Sequence, residues 1–241
     1  MTDKEIYESQ EDVISNLEVY GISESMIASG YPMSTEIRDI CNCAISLETY
    51  SHVGYDDDLY TDKYHKDEIT EMCLKEFPLE SAKSAIARSM KLGKAPLGSG
   101  HDNYLNGIVA QFDLTFTVKA WTEAERYHFF DFVSSQSTMH RLQKMDVSES
   151  CIEYVDSRVI DVVEELARKY NENPTLENRL KMLYSCPTGL KLTARMTTNY
   201  RQLKTIYHQR KNHTLPEWRR FCQQLVDDFP MFEELCLGDE E

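Results

Sequence analysis

The 241-residue chain lacks long apolar segments, and it contains few glycines and prolines. No stretch of about 18 apolar residues occurs, so no membrane-spanning helix and no membrane partner are expected. Nine glycines and seven prolines, beside 41% hydrophobic residues, exclude collagen-like and low-complexity disordered chains. The acidic amino terminus carries no apolar stretch of the kind found in signal peptides, which predicts a cytoplasmic protein.

Familiar metal-binding and nucleotide-binding motifs are also absent. Cys41 and Cys43 are separated by one residue, and no second Cys or His pair lies at zinc-finger spacing, so we predict no metal site. The other cysteines are scattered, as expected of core residues in a reducing compartment. There is no P-loop, no Gly-x-Ser-x-Gly and no Gly-x-Gly-x-x-Gly motif. No catalytic residue is assigned from the sequence.

Positive charge is scarce overall but concentrated in one segment. The net charge of −15 argues against nucleic-acid polymers as partners, because lysine and arginine contacts to phosphates supply most of that affinity. Residues 191–220 nevertheless contain eight Lys or Arg and one acid, so they carry +7 while the rest carries −22. A compact basic segment indicates a pocket for a small anion such as a nucleotide; the alternative is a solvated basic helix paired with acidic neighbours.

Hydrophobic periodicity predicts more helices than strands. Alternation predicts a strand over residues 108–118, and an apolar run predicts another over residues 40–47. The helices are predicted at residues 1–20, 79–92, 122–134, 159–170, 176–184, 199–210 and from residue 214 onward. Capping-box patterns at Thr122 and Thr214 support two of these helix starts. The fold class is therefore α+β. Residues 1–241 are expected to form one domain. The first 95 residues carry no assigned motif, and an appended lobe there is the alternative.

Two polar clusters stand out from this pattern. Residues 134–141 offer an amide, hydroxyls, an imidazole and a guanidinium within eight positions. Residues 199–210, followed by His213, hold the second cluster. On this helix Arg201 and Arg210 are nine residues apart, about 900° of rotation, so they point to opposite sides and could serve two pockets or a subunit junction. Surface arginines are the plainer interpretation.

Taken together, the two clusters resemble the flavin-dependent thymidylate synthases, the ThyX family, over roughly residues 100–225. That family has a Gly-His before its core strand, as Gly100-His101 here, and a Gln followed, after two residues, by an Arg-His-Arg signature. Gln136 and Met139-His140-Arg141 stand at those positions. The family's later Pro, Asn-x-Arg and Arg match Pro187, Asn199, Arg201 and Arg210 without a gap, and His213 and Trp218 follow.

The resemblance implies a ThyX-like fold with a central antiparallel or mixed sheet flanked by helices, assembled as a homotetramer. It implies that FAD is bound by His140, Arg141, Asn199, Arg201 and His213, and that Gln136 and Arg210 contact the nucleotide. In the family, a methylene from methylenetetrahydrofolate is transferred to dUMP and reduced by FAD, which NADPH reduces. An enzyme of this type, a flavin-dependent methyltransferase of nucleotide biosynthesis, is therefore expected.

Departures from the family pattern fall mainly on the nucleotide side. Met139 replaces the first signature Arg, and Leu183 replaces a further nucleotide-binding Arg. Downstream of the signature, polar family residues are replaced by Lys144, Asp146, Val147, Glu149 and Cys151, and before the core strand Leu105-Asn106-Gly107 replaces Phe-Glu-His. Each guanidinium lost from a phosphate pocket costs about 1.5–3 kcal/mol.

Three interpretations follow. The first is a divergent enzyme that still acts on dUMP or on a related nucleotide. The second is a catalytically inactive ThyX-like protein that serves as a nucleotide-binding, flavin-binding or protein-interaction module. The third is a chance match to an unrelated α+β protein.

Overall fold

The computed structural model describes Tyr7, residues 10–34, Ile45 and residues 79–238. The chain divides into two compact units, each assembled from separate stretches. The first unit takes its described residues from Met1–Leu17, Gln111–Thr198 and Arg210–Gln223, and the second takes them from Glu18–Ala110, Asn199–Gln209 and Gln224–Glu241. The expectation of a single domain over residues 1–241 stays a prediction.

The described residues form a four-stranded antiparallel sheet, which confirms the α+β class. The strands are β1 (Ile14–Tyr20), β2 (Val109–Thr117), β3 (Phe130–Ser135) and β4 (Lys191–Asn199), in the spatial order β1-β2-β4-β3. The edge strand β3 pairs with β4, and its register shifts between Phe132 and Ser134. Strand β2 confirms the strand predicted at residues 108–118, because its burial alternates as the hydropathy does.

Helices lie between and after the strands along the chain. They are α1 (Ile22–Ala28), α2 (Leu79–Gly93), α3 (Val118–Ala124), α4 (Thr138–Arg141), α5 (Val147–Ser150), α6 (Ser157–Glu172), α7 (Leu176–Tyr184), α8 (Tyr200–Arg210), α9 (Pro216–Asp227) and α10 (Phe232–Cys236). Short 3-10 turns occupy Tyr31–Met33, Asn103–Gly107 and Leu142–Lys144. Among the residues described, no helix is long and apolar enough to cross a membrane.

Helices α2, α6, α7, α8 and α9 confirm five of the helix predictions, but two others were wrong. Residues 14–20 form strand β1 where a helix was predicted. The helix predicted at residues 122–134 is replaced by α3, which starts earlier at Val118, and by strand β3. Thr117 caps α3 by accepting a hydrogen bond from the Ala120 amide at 3.1 Å, whereas Thr122 lies inside the helix. The strand predicted at residues 40–47 lies outside the described residues, apart from Ile45.

An aromatic core fills the first unit. The inward side chains of β2, among them Phe112 and Phe116, are fully buried. The Phe116 ring meets the Trp218 ring of α9 edge-on at 4.7 Å between centroids, and Phe221 packs on both Phe112 and Phe116. Such aromatic pairs add about 0.5–1.5 kcal/mol each beyond the area they bury.

A second apolar cluster in the first unit joins the chain after α4 to helices α6 and α7. Its buried members are Leu142, Val147, Cys151, Val163, Ala167, Met182 and Leu190. The backbones of Cys151 and Leu190 also form an isolated antiparallel β-bridge, and the Ile152 amide donates to the Gly189 carbonyl at 2.9 Å. The segment 142–151 is therefore fixed by core packing.

The second unit is organised around Tyr200 at the start of α8. Its ring is fully buried against Phe229 and Phe232, and its hydroxyl donates to the Pro230 carbonyl at 2.8 Å. Helix α2 ends at Gly93, where an added Cβ would lie 2.0 Å from the Leu235 carbonyl oxygen. Only glycine allows this close backbone approach.

Candidate functional site

The first polar cluster follows strand β3, and Gln136 extends the sheet there. The Gln136 amide donates to the Thr193 carbonyl at 2.9 Å, and its side-chain Oε1 accepts from the Thr193 amide at 3.2 Å. The side-chain oxygen thus takes the role of a backbone carbonyl beyond the end of β3. The side-chain nitrogen of Gln136, Nε2, is the group left for a ligand.

Helix α4 presents Met139, His140 and Arg141 on its exposed surface. Met139 is 48% exposed, and its carbonyl accepts a hydrogen bond from Arg179 Nη2 at 3.2 Å. Within the described part of the chain, the His140 and Arg141 side chains have no acidic partner and no hydrogen bond. Both are thus available as donors to an anion.

Arg210 lies in a dense cluster within the first unit. Its Nη1 forms an ion pair with Glu123 Oε2 at 2.7 Å, and its Nε donates to the Tyr127 hydroxyl at 2.7 Å. The guanidinium carbon also stacks over the Trp218 ring, 4.8 Å from its centroid. The side chain is only 16% exposed, so most of its donors serve the fold.

His213 completes this cluster, and both of its ring nitrogens are engaged. Nδ1 faces the Leu215 amide at 3.2 Å and must accept, which assigns the proton to Nε2. Nε2 then donates toward Glu123 Oε2 at 3.3 Å, the carboxylate oxygen to which the neighbouring Arg210 Nη1 also donates. Burial lowers the pKa of the His213 imidazole, and the neighbouring Glu123 carboxylate opposes that shift. The His213 imidazole is therefore neutral at neutral pH.

Asn199 and Arg201 belong to the second unit. Asn199 Oδ1 accepts from the Gln202 amide at 2.9 Å, so this side chain caps the first turn of α8. Arg201 Nε donates to Asp102 Oδ1 at 3.2 Å, and its side chain is 35% exposed. Its two terminal guanidinium nitrogens, Nη1 and Nη2, make no hydrogen bond among the residues described. Arg201 therefore keeps an edge of the guanidinium open to a ligand.

Sequence reasoning missed the group that holds Arg201. Asp102 is fully buried, and its second oxygen, Oδ2, lies 3.1 Å from Lys204 Nζ. Lys204 is only 2% exposed and also donates to the carbonyls of Gly93 and Ala95. Lys204 lies one helical turn after Arg201 on α8, a spacing that places both on one face. That spacing was the available signal.

The positions that depart from the family pattern have different environments. Val147 and Cys151 are buried in the second apolar cluster, and Leu183 packs against it. Lys144 and Glu149 are exposed. Asp146 Oδ1 caps α5 by accepting from the Glu149 amide at 3.0 Å. Apolar packing thus replaces polar groups at positions 147, 151 and 183.

The structure brings some of the predicted site residues together and assigns others to separate units. Arg210 and His213 share one cluster, and Gln136, His140 and Arg141 follow one another at the end of β3; these five belong to the first unit. Asn199 and Arg201 belong to the second. Open guanidinium and imidazole groups fit the phosphates of an anionic cofactor such as FAD.

The fold described above is similar to that of the flavin-dependent thymidylate synthases. A crystal structure of the flavin-dependent thymidylate synthase ThyX from Helicobacter pylori, complexed with FAD and dUMP, matches with a TM-score of 0.57 and 17% identity. The match covers 95% of this chain and 100% of that chain. Another structure of Helicobacter pylori ThyX with FAD and dUMP matches with a TM-score of 0.57 and 15% identity, over 93% of this chain and 96% of that one. No family model and no curated protein matches the sequence.

Proposed function

We propose that this protein is a flavin-dependent thymidylate synthase-like protein that binds FAD and a pyrimidine deoxynucleotide for the reductive methylation of dUMP or a related nucleotide. The observation that carries the proposal is the fold likeness, over 95% of the chain, to a protein crystallised with FAD and dUMP. The open donors of His140, Arg141 and Arg201 support it, because phosphate oxygens are their natural acceptors.

In this proposal FAD is held by His140, Arg141, Asn199, Arg201 and His213. Arg201 and Arg141 supply charge and hydrogen bonds to phosphate, His140 supplies a hydrogen bond, and Asn199 offers the side-chain amide nitrogen that capping leaves unused. His213 contributes least directly, because both ring nitrogens already have partners. Gln136 and Arg210 belong to the nucleotide side, with the Gln136 amide nitrogen as a donor.

When bound, the flavin supplies the hydride for the reductive step, with NADPH and methylenetetrahydrofolate as co-substrates. The chain's own residues bind and orient the two anions, so no nucleophilic side chain is required. The proposal includes a homotetramer and a cytoplasmic location.

The test is the visible absorption spectrum of the purified protein titrated with FAD and then with dUMP. We expect near-stoichiometric oxidised flavin whose spectrum changes on addition of dUMP, and at least about tenfold weaker FAD binding for Arg201→Ala and His140→Ala, the loss expected for one charged hydrogen bond. Arg158→Ala is the matched control, because Arg158 is exposed and pairs with Asp156 on the surface. No flavin binding at micromolar FAD would contradict the proposal.

A catalytically inactive nucleotide-binding, flavin-binding or interaction module is the second candidate. The observation that favours it is the apolar packing of Val147, Cys151 and Leu183. These side chains offer no strong hydrogen-bond donor to the phosphate of a nucleotide. Oxidation of NADPH by the flavin-loaded protein, with and without dUMP, separates the two candidates. Faster oxidation with dUMP, together with dTMP formation, supports the enzyme, and flavin binding without either supports the inactive module.

A further inference from the structure

A buried charge network in the second unit holds one more positive charge than negative. The Asp102 carboxylate is fully buried and contacts two cations, Arg201 through Oδ1 and Lys204 through Oδ2. With all three groups ionised, one negative charge faces two positive charges. An uncompensated cation in a partly desolvated place favours an anionic partner.

Lys204 cannot be the group that takes this anion. Its ammonium donates to the Gly93 carbonyl at 2.7 Å, to the Ala95 carbonyl at 2.6 Å and to Asp102 Oδ2 at 3.1 Å. An ammonium has three donors, and all three are used. Lys204 therefore fixes the loop after α2 and one oxygen of Asp102.

Arg201 has the opposite character. One donor, Nε, is directed to Asp102, and the terminal amines have no hydrogen-bond partner in the part of the chain that the structure describes. The side chain remains 35% exposed. A guanidinium fixed at Nε presents its outer edge in one orientation, so less side-chain entropy is lost when an anion binds.

We propose that Asp102 and Lys204 are positioning residues for Arg201, and that the open guanidinium edge binds a phosphate group of the FAD diphosphate. The choice of FAD as ligand rests on the proposed function. The positioning itself rests on the contacts of Asp102 with Arg201 and Lys204.

Asp102→Asn separates positioning from simple charge attraction. This substitution makes the network more positive, so charge attraction alone predicts tighter binding of pyrophosphate and FAD. Positioning predicts the reverse, a loss of about tenfold or more in both affinities, measured by calorimetry on the full chain. Lys204→Met lowers the positive charge and frees Oδ2, so we expect weaker binding there too. Equal or tighter binding by Asp102→Asn would overturn the positioning role.

A spectroscopic readout on the wild-type chain does not depend on flavin binding. In ¹⁵N-arginine spectra, we expect the Arg201 Nε–H to exchange with water more slowly than that of Arg126, which has no side-chain hydrogen bond among the described residues. Arg201→Lys assigns the signal. Equally fast exchange for Arg201 and Arg126 would overturn the anchoring by Asp102. Failure of wild type to bind FAD or pyrophosphate would instead overturn the proposed function and the ligand, with slow exchange still supporting the anchoring.

Discussion

At the scale of single residues, Thr117 links the end of β2 to two other elements. Its Oγ1 accepts from the Ala120 amide as the cap of α3 and donates to Glu217 Oε1 of α9 at 2.5 Å. The other carboxylate oxygen, Glu217 Oε2, is buried and has no partner among the described residues. The hydroxyl of Thr117 is thus the main stabilising contact of a buried carboxyl group.

Thr117→Val is expected to lower the free energy of unfolding by about 2–4 kcal/mol, because it removes a helix cap and leaves a buried carboxyl without its donor. Thr117→Ser, which keeps the hydroxyl, is the matched control and is expected to lose less than half of that amount. Urea denaturation of the three proteins measures the difference. Equal stability of the Val and Ser variants would contradict this account.

His213 gives the protein a predicted pH dependence of stability. Its folded pKa lies below the ordinary value of about 6.5 because burial disfavours the imidazolium. Between the two pKa values the unfolded chain binds more protons, so the free energy of unfolding falls as pH falls below about 6.5. The stabilisation is fully present above that pH.

His213→Gln should flatten the stability profile on the acidic side of neutrality, whereas His128→Gln, at an exposed position, should leave the wild-type slope unchanged. Chemical denaturation at a series of pH values measures both slopes. A wild-type slope in the His213→Gln variant would show that His213 does not titrate with folding.

At the scale of elements, the sequence predicted those with a strong period and missed those whose burial is not visible in hydropathy. Helices α6 and α7 and strand β2 show clear apolar periodicity and were predicted. Strand β4 buries Ala194, Met196 and Thr198, a small, a flexible and a polar residue, so its alternation gives little hydropathy signal. Strand β3 was predicted as helix because the capping-box pattern at Thr122 suggested a helix start, and the strand's exposed Phe132 and Val133 give no alternation typical of a half-buried strand.

The candidate site shows the same limit. Motif spacing placed Asn199 and Arg201 at the start of α8, where the structure has them. It gave no sign that Asp102, 99 positions away from Arg201, would anchor that arginine. Nor did it show that Arg210 would be engaged by Glu123 and Tyr127. Contacts between residues far apart in the chain depend on the tertiary fold, which local patterns do not encode.

The segment 142–151 supports a prediction about the departures from the family pattern. Cys151→Arg restores the family residue by resemblance, but position 151 is 7% exposed within the second apolar cluster. We expect a loss of about 3 kcal/mol or more in unfolding free energy, because a guanidinium there lacks water and partners. Lys144→Ser, at an exposed position, should change stability by less than about 0.5 kcal/mol.

Thermal and urea denaturation measure these two effects, and FAD and dUMP titrations of both variants measure binding. A stable Cys151→Arg variant that binds dUMP more tightly than wild type would show that position 151 faces a nucleotide pocket. That result would favour the enzyme over the inactive module.

At the scale of the whole molecule, the basic segment 191–220 is largely neutralised by the fold. At least six of its eight cations form ion pairs with acidic side chains within their own unit: Lys191 with Glu11, Arg195 with Asp113, Arg201 and Lys204 with Asp102, Arg210 with Glu123, and Arg220 with Asp12. The +7 of the sequence is therefore no continuous positive surface, and the rest of the chain carries −22.

We consequently expect no binding of duplex DNA at physiological salt, because most cations of the described basic segment are paired with acids and form no track of free charges for the phosphates. Fluorescence anisotropy of a labelled duplex of about 20 base pairs, titrated to about 100 μM protein, spans the range in which non-specific binders respond. FAD is the contrasting ligand, since the proposed site needs a few oriented donors and no track of cations. Saturable, salt-sensitive DNA binding would show that the ion pairs of this segment open, and would argue against a pocket for a small anion.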